Sequence, residues 1–103
     1  MMTMVKCKTS PSSGDARGQY NKPRGIGLNS SGTHLFISDC LKNRMVMIST
    51  TDGSVVGVCG GVCGSSEGQM IQPYDVTVDD VTNPLMPTLY VADNDNKRVQ
   101  VFV

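Results

Sequence analysis

The chain has 103 residues, a formal net charge of zero and 17% charged residues. A chain of this length forms at most one ordinary domain, and its neutral balance argues against a large nucleic-acid-binding patch based on bulk charge but leaves a local basic face open. No apolar run is long enough to span a membrane, and the N-terminus lacks the charged-then-apolar pattern of a signal peptide. We therefore expect a soluble, cytoplasmic protein.

The cysteines do not form a pattern that predicts a disulfide framework or a metal site. Without a secretory signal we expect reduced thiols. Cys59 and Cys63 are four positions apart, but His34 is the single histidine and no second cysteine pair completes a zinc site. We expect no metal and no cofactor. The four cysteines are Cys7, Cys40, Cys59 and Cys63.

The first elements in chain order are a short β-capable segment at residues 2–7 and a loop at residues 9–18. The loop is rich in Ser, Gly and Pro, which are turn-forming residues. We assign residues 1–17 to an outer strand that precedes the main repeat, together with this loop.

The rest of the chain consists of two copies of one unit. Residues 18–29 align with residues 68–79 at an offset of 50, with Gly, Gln and Pro in register. Residues 35–39 align with residues 89–93 at an offset of 54. The additional residues of the second copy fall in segment 80–87, where two prolines disfavour both strand and helix.

Each copy alternates apolar and polar residues with a period of two, which indicates half-buried antiparallel strands. Asp52-Gly53 adds a hairpin and a fourth strand to the first copy. Four strands in roughly fifty residues are typical of a β-propeller blade. We predict an all-β fold of two four-stranded antiparallel blades of a partial propeller, without helix. The first blade is assigned to residues 18–64, and the second, which lacks its outer strand, to residues 65–103.

The second copy carries the clearer motif: Gly-Gln, a Pro before the first strand, an apolar-apolar-Ala-Asp turn, and a closing Arg-apolar-Gln-apolar-Phe run. This pattern resembles the NHL repeat, a propeller blade. The first copy departs from it where Ser38 replaces Ala and Lys42 occupies the Asn position. The matching positions are Gly68, Gln69, Pro73, residues 90–93, Asn96 and residues 98–102, and in the first copy Gly18, Gln19, Tyr20, Pro23, Asp39 and Arg44.

The resemblance implies a disc whose upper face binds RNA or protein, as in tripartite-motif ubiquitin ligases and related translational repressors. It implies that the residue after the strand-leading Pro points to that face, which is Arg24 in one copy and Tyr74 in the other. An arginine and a tyrosine suit phosphate pairing and base stacking. We predict a non-catalytic module that binds protein or single-stranded RNA. The other candidate residues, on turns of the same side, are Lys22, Lys42, Asn43, Asn96 and Lys97.

Two Asp–Arg pairs, each five positions apart, enclose the turn of each copy. An aspartate there can accept backbone N–H bonds of the following turn, and the arginine can return to pair with it. We predict that Asp39 with Arg44, and Asp93 with Arg98, stabilise turns. Removing Asp93 should cost about 1–3 kcal/mol if its bonds are buried.

An enzymatic alternative remains open, because the chain could be a piece of a metal-dependent propeller lyase or lactonase. Such chemistry needs several His, Asp or Glu residues on the innermost strands. Asp75 is the single candidate ligand in that position.

An architectural alternative is also open, because two blades cannot close a ring. The N-terminal strand of one copy could complete the C-terminal blade of another, and three copies would then form a six-bladed ring. Alternatively, the chain is a piece of a larger protein that supplies further blades.

Overall fold

The computed structural model describes residues 4–5, 20–82 and 87–103. Strands form nearly all of its regular structure, and these described residues contain no α-helix, so the predicted all-β fold is confirmed. The predicted loop at residues 9–18, Cys7 and residues 83–86 of the predicted insertion lie outside the described residues. In chain order the strands are β1 (Met4–Val5), β2 (Pro23–Leu28), β3 (His34–Asp39), β4 (Arg44–Ser49), β5 (Val55–Gly60), β6 (Pro73–Asp79), β7 (Thr88–Asp93) and β8 (Arg98–Phe102).

The first sheet has the strand order β2-β3-β4-β5, and each pair of neighbouring strands in it is antiparallel. The predicted hairpin at Asp52-Gly53 is confirmed, since the Gly53 N–H donates to the Ser49 carbonyl oxygen at 2.8 Å. Gly53 has a φ of 75°, which glycine adopts without a steric penalty. Short turns of this kind explain why consecutive strands are also neighbours in the sheet.

The second sheet has the order β1-β8-β7-β6, with β6, β7 and β8 antiparallel. Its fourth strand, β1, pairs parallel to β8 over two residue pairs and differs from the antiparallel arrangement that we predicted. No hairpin connects β1 to β8, so nothing forces the antiparallel direction. Met4–Val5 was expected in the outer strand of a preceding unit, and in the structure it lies at the edge of this second sheet.

The two copies share the same unusual backbone features. A short 3-10 helix follows the second strand of each, at Cys40–Lys42 and at Asn94–Asn96, in turns where no helix was predicted. Each helix ends at a residue in the left-handed region, Asn43 and Lys97, with the same φ of 54°. The aligned segments therefore adopt the same local structure although their sequences differ.

The core lies between the facing sides of the two sheets. The first sheet contributes Phe36 and Met45, and the second contributes Val76, Val91 and Phe102, all of them buried. The remaining members of this core cluster are Cys59, Met70 and Leu89. Apolar side chains buried in this way are the main favourable term in folding.

The inner strands β2 and β6 place their apolar residues differently. Val76 on β6 points into the core and is 4% exposed, whereas its repeat equivalent on β2, Ile26, is 65% exposed. Leu28 is 54% exposed on the same side of β2 as Ile26. The apolar sides of β2 and β6 point in the same direction. The apolar side of β6 therefore faces the first sheet, and the apolar side of β2 faces away from the second sheet.

A polar contact connects the far ends of β2 and β6. Asp80 is buried, and its Oδ2 accepts bonds from the Ser30 N–H at 3.0 Å and the Ser30 hydroxyl at 2.9 Å. Its neighbour Asp79 instead accepts bonds from the loop that follows β6, and the Thr82 and Val81 N–H groups lower the pKa of Asp79. The two adjacent carboxylates therefore serve separate structural contacts.

The cysteines differ from one another in the structure. Cys40 is a buried free thiol and Cys63 an exposed free thiol, as expected for reduced cysteines. Cys59 is disulfide-bonded, so the prediction of reduced thiols is wrong at this position. The absence of a recognised signal peptide was therefore not sufficient to predict the oxidation state of the cysteines.

None of the helices within residues 4–5, 20–82 and 87–103 has the length and hydrophobicity required to cross a bilayer.

Candidate interaction face

Arg24 and Tyr74, the two residues predicted to point to the upper face, stack on one another. Both side chains are exposed. The guanidinium carbon of Arg24 lies 4.1 Å from the centroid of the Tyr74 ring, which is a cation–π contact. Residues 50 positions apart in the sequence thus form one continuous surface feature.

A backbone irregularity aims both side chains outward. The pairing of β2 with β3 shifts between Pro23 and Gly25, and that of β6 with β7 shifts between Pro73 and Asp75. Arg24 and Tyr74 lie within these shifts. Irregularities of this type re-aim a side chain and are frequent at functional sites.

The absence of a side chain at Gly25 brings β2 and β6 close enough for the stack. A Cβ atom on Gly25 would lie 2.6 Å from both the Tyr74 carbonyl oxygen and the Asp75 Cα, closer than real Cβ contacts. Because these neighbours are backbone atoms, they could yield only if the two strands separated. Gly25 therefore sets the spacing between the arginine and the tyrosine.

The segments that lead into β2 and β6 are held in a strained conformation. Lys22 and Gln72 precede the two prolines with φ values of 63° and 52°, a region that residues with side chains rarely adopt. Two hydrogen bonds stabilise it: the Cys40 N–H donates to the Lys22 carbonyl oxygen at 3.3 Å, and the Gln72 N–H donates to Asn43 Oδ1 at 2.9 Å. Rigid support of this kind is expected for a surface whose side chains must keep fixed positions.

The Asp–Arg pairs provide the next layer of support. Arg44 Nε donates to Asp39 Oδ2 at 2.9 Å, and Arg98 Nε donates to Asp93 Oδ2 at 2.8 Å. Both aspartates are fully buried. Charged hydrogen bonds in a buried environment are among the stronger polar contacts.

The prediction that these aspartates cap the turn that follows them is wrong. Neither makes a side-chain cap bond to its 3-10 helix. Instead, Asp39 Oδ1 accepts the Asn21 N–H at 2.7 Å, and Asp93 Oδ1 accepts the Ile71 N–H at 2.9 Å. These donors lie in the segments before Pro23 and Pro73, so each aspartate fixes the strand that carries Arg24 or Tyr74.

The other predicted partner-binding residues fall into two groups. Lys22 and Lys97 are exposed, and Lys42 is partly buried. Asn43 and Asn96 have structural roles: Asn43 Oδ1 accepts the Gln72 N–H, and Asn96 Nδ2 donates to the Gly64 carbonyl oxygen at 2.8 Å and to Asp93 Oδ2 at 2.9 Å. Of the two exposed lysines, Lys22 lies two positions before Arg24 on the same segment, whereas Lys97 lines a groove on the second sheet, so we group Lys22 with Arg24 and Tyr74.

The charges around the stack are mixed in sign. Burial raises the pKa of the Cys40 thiol, while Arg24 and Lys22 act in the opposite direction, and Asp95 adds a negative charge nearby. The positive charges of Arg24 and Lys22 therefore lie close to the negative charge of Asp95. This arrangement suits recognition through a few defined contacts better than through a broad positive field.

Sequence reasoning noted Ser38 as a departure from the motif but missed its role between the sheets. Ser38 is buried. Its Oγ accepts the Gly25 N–H at 2.8 Å, and its O–H donates to the Tyr74 carbonyl oxygen at 3.0 Å. The equivalent residue of the second copy is Ala92, which is only partly buried. The sequence feature that could have indicated this role is the serine at a position where the motif has alanine.

Replacing Ser38 by alanine is expected to destabilise the protein by about 1–3 kcal/mol, although it restores the residue found in the second copy, because the buried Gly25 N–H loses its acceptor. The urea midpoint of unfolding measures this change. Ser66→Ala, at an exposed position, is the control and should leave the midpoint nearly unchanged. Equal midpoints for the two variants would contradict the inter-sheet role of Ser38.

Asp75, the residue considered for metal-dependent chemistry, is exposed on β6, and its Oδ1 accepts the N–H of the next residue, Val76, at 2.8 Å. Within the described part of the chain, no group of three or more His, Cys, Asp or Glu side chains is placed to hold a metal ion.

Comparison with known proteins gives no independent assignment. The sequence matches none of the protein-family models with which it was compared, and it is not significantly similar to any curated protein. The resemblance to the NHL repeat therefore stays a prediction that rests on the motif positions in the two copies.

Proposed function

We propose that this chain is a non-catalytic interaction module that binds single-stranded RNA through the face formed by Arg24, Tyr74 and Lys22. The observation that carries the proposal is the exposed stack of the Arg24 guanidinium on the Tyr74 ring at 4.1 Å. Unpaired bases of RNA stack on aromatic rings and on guanidinium planes, and phosphates pair with arginine and lysine. The stack offers both contacts at one point.

The neutral composition limits the size of the contact. With a formal net charge of zero, the chain offers no general attraction for a polyanion. We therefore expect recognition of one or two unstacked bases with weak salt dependence, rather than coverage of a long duplex. The context that the resemblance suggests is a ubiquitin ligase or a translational regulator.

The proposed setting is the cytoplasm. The disulfide-bonded Cys59 does not support that location, because disulfides are mostly found in oxidising compartments.

Arg24→Ala and Tyr74→Ala are each expected to weaken binding of short single-stranded RNA pools about tenfold or more, because a base–aromatic stack contributes about 1–3 kcal/mol. Fluorescence anisotropy at low ionic strength measures the affinity. Arg24→Lys keeps the charge and removes the planar group, and Tyr74→Phe keeps the ring and removes the hydroxyl. We expect a loss for Arg24→Lys and nearly full affinity for Tyr74→Phe.

Two results would overturn this proposal. One is that wild-type protein does not bind any RNA pool at low salt. The other is that the two alanine variants, shown by their urea midpoints to be folded, bind as tightly as wild type. If the same substitutions instead abolished binding of a protein partner, the result would support the protein-binding alternative.

A further inference from the structure

An open groove lies on the side of the second sheet that faces away from the core. Its volume is about 660 Å³, and its lining includes Tyr90, Ala92 and Val99 together with the polar residues Asn94 and Lys97. Val99 is 42% exposed. An apolar surface of this kind on a β-sheet is a candidate for covering by another protein surface.

The internal repeat indicates what covers the groove. Tyr90 and Val99 are the repeat equivalents of Phe36 and Met45, which lie 54 positions earlier. Phe36 and Met45 are buried in the core, because the second sheet packs on that side of the first. The groove is therefore the position at which a further sheet would pack on the second.

The side of β2 that faces away from the second sheet presents the matching surface. Ile26 and Leu28, the β2 stripe, are 65% and 54% exposed, and their repeat equivalents are Val76 and Val78. Val76 is buried in the core, and Val78 is partly buried against it. The β2 stripe and the groove thus correspond to Val76 with Val78 and to Phe36 with Met45, which meet in the core inside the chain.

Residue sizes are complementary at these two outer surfaces. Asp75 and Thr77 of β6 occupy the positions of Gly25 and Gly27 on β2, so a strand that packs on β6 must lie farther away than β6 lies from β2. Ile26 and Leu28 are larger than their repeat equivalents Val76 and Val78. In the groove, Val99 is smaller than its equivalent Met45, and Tyr90 exceeds its equivalent Phe36 by one hydroxyl. The larger side chains of the stripe can therefore reach the groove across the wider spacing.

The contact surface is limited to the inner strand. Ile37 and Val46 lie on the same side of the first sheet as Ile26, and both are already buried within the chain. The β2 stripe is the part of this side that stays exposed.

We propose that the β2 stripe of one copy of this chain packs into the groove of a second copy, so that copies associate head to tail. Such a contact uses different surfaces on the two partners. Contacts of this type either close into a ring or extend into a chain. The proposal does not depend on the RNA-binding function, because the stripe and the groove do not include Arg24 or Tyr74.

The test is the mass of the protein in solution, measured by light scattering and native mass spectrometry over a range of concentrations. Wild type is expected to form multiples of the 11.0 kDa chain. The double variant Ile26→Lys/Leu28→Lys and the single variant Val99→Lys should each be monomeric, because each has lost one of the two surfaces. Val81→Lys is the matched control at a position 81% exposed outside both surfaces, and it should associate like wild type.

Mixing the two monomeric variants gives the decisive result. The double variant keeps its groove and Val99→Lys keeps its stripe, so together they should form a one-to-one heterodimer that cannot extend further. A wild-type monomer at every concentration would overturn the proposal. Association that survives the substitutions, or folded variants that fail to form the heterodimer, would also overturn it.

Discussion

Replacing Asp93 by alanine is expected to destabilise the protein by about 3–5 kcal/mol, more than the roughly 1–3 kcal/mol expected from the sequence, because Arg98 loses its charged partner and three further donors lose the same acceptor. Asp93 is fully buried. Its two oxygens accept bonds from the Ile71 N–H, Arg98 Nε, Asn96 Nδ2 and Gln100 Nε2. A domain of this size has a total stability of about 5–15 kcal/mol, so this single substitution would remove a large part of it.

The urea midpoint of unfolding measures the effect of Asp93→Ala. Asp95→Ala is the matched control, because Asp95 lies in the same turn and is exposed. The control should change stability by less than about 0.5 kcal/mol. The structural account of the Asp–Arg pairs would be wrong if the two alanine variants unfolded at similar urea concentrations.

Replacing Gly25 by alanine is expected to destabilise the protein by about 1–3 kcal/mol, the usual cost of forcing an additional methyl group into a packed contact. The new Cβ would lie 2.6 Å from the backbone of Tyr74 and Asp75, so β2 and β6 would have to separate. The separation should also disturb the stack of Arg24 on Tyr74. We therefore expect a loss of ligand binding beyond that explained by unfolding.

Gly27→Ala is the control for Gly25→Ala on the same strand. Its Cβ would lie 3.0 Å from the Val76 carbonyl oxygen and 3.3 Å from Val78 Cγ2, which is tight but can be relieved by a shift of a few tenths of an ångström. Urea unfolding should therefore show a smaller effect for Gly27→Ala. The reverse order would mean that β2 and β6 are not closest at Gly25.

Much of the fold could be predicted from the sequence because its signals are local. Apolar alternation predicts strands such as β3 and β7, and Asp52-Gly53 predicts the hairpin that the structure contains. The internal offset also placed Asp39 and Asp93 in equivalent turns. Each of these inferences uses neighbouring residues or a direct comparison of the two copies.

The features that the sequence did not reveal depend on contacts between the copies. Ile26 on β2 is exposed and Val76 on β6 is buried, because the first sheet covers the apolar side of β6 and the second sheet does not cover the apolar side of β2. The stack of Arg24 on Tyr74 likewise needs the close approach at Gly25. Periodicity predicts an apolar side for each strand, but it does not say which side has a neighbour.

The same limit applies to the polar contacts of the site. Asp39 accepts a bond from Asn21, 18 positions earlier, rather than from the turn that follows it. The Asn43 side chain binds the Gln72 backbone, 29 positions later, although its place on a turn favoured contact with a partner. A short polar side chain can make either contact, and only the packing of the two sheets decides between them.

The most direct test of the RNA-binding face is a nuclear magnetic resonance titration of the ¹⁵N-labelled chain with a single-stranded RNA pool. The account predicts that the largest amide shift changes fall on Lys22, Arg24, Gly25, Gln72, Tyr74 and Asp75, which surround the Arg24–Tyr74 stack. Changes confined to the groove at Tyr90 and Val99, or no change at saturating RNA, would contradict it.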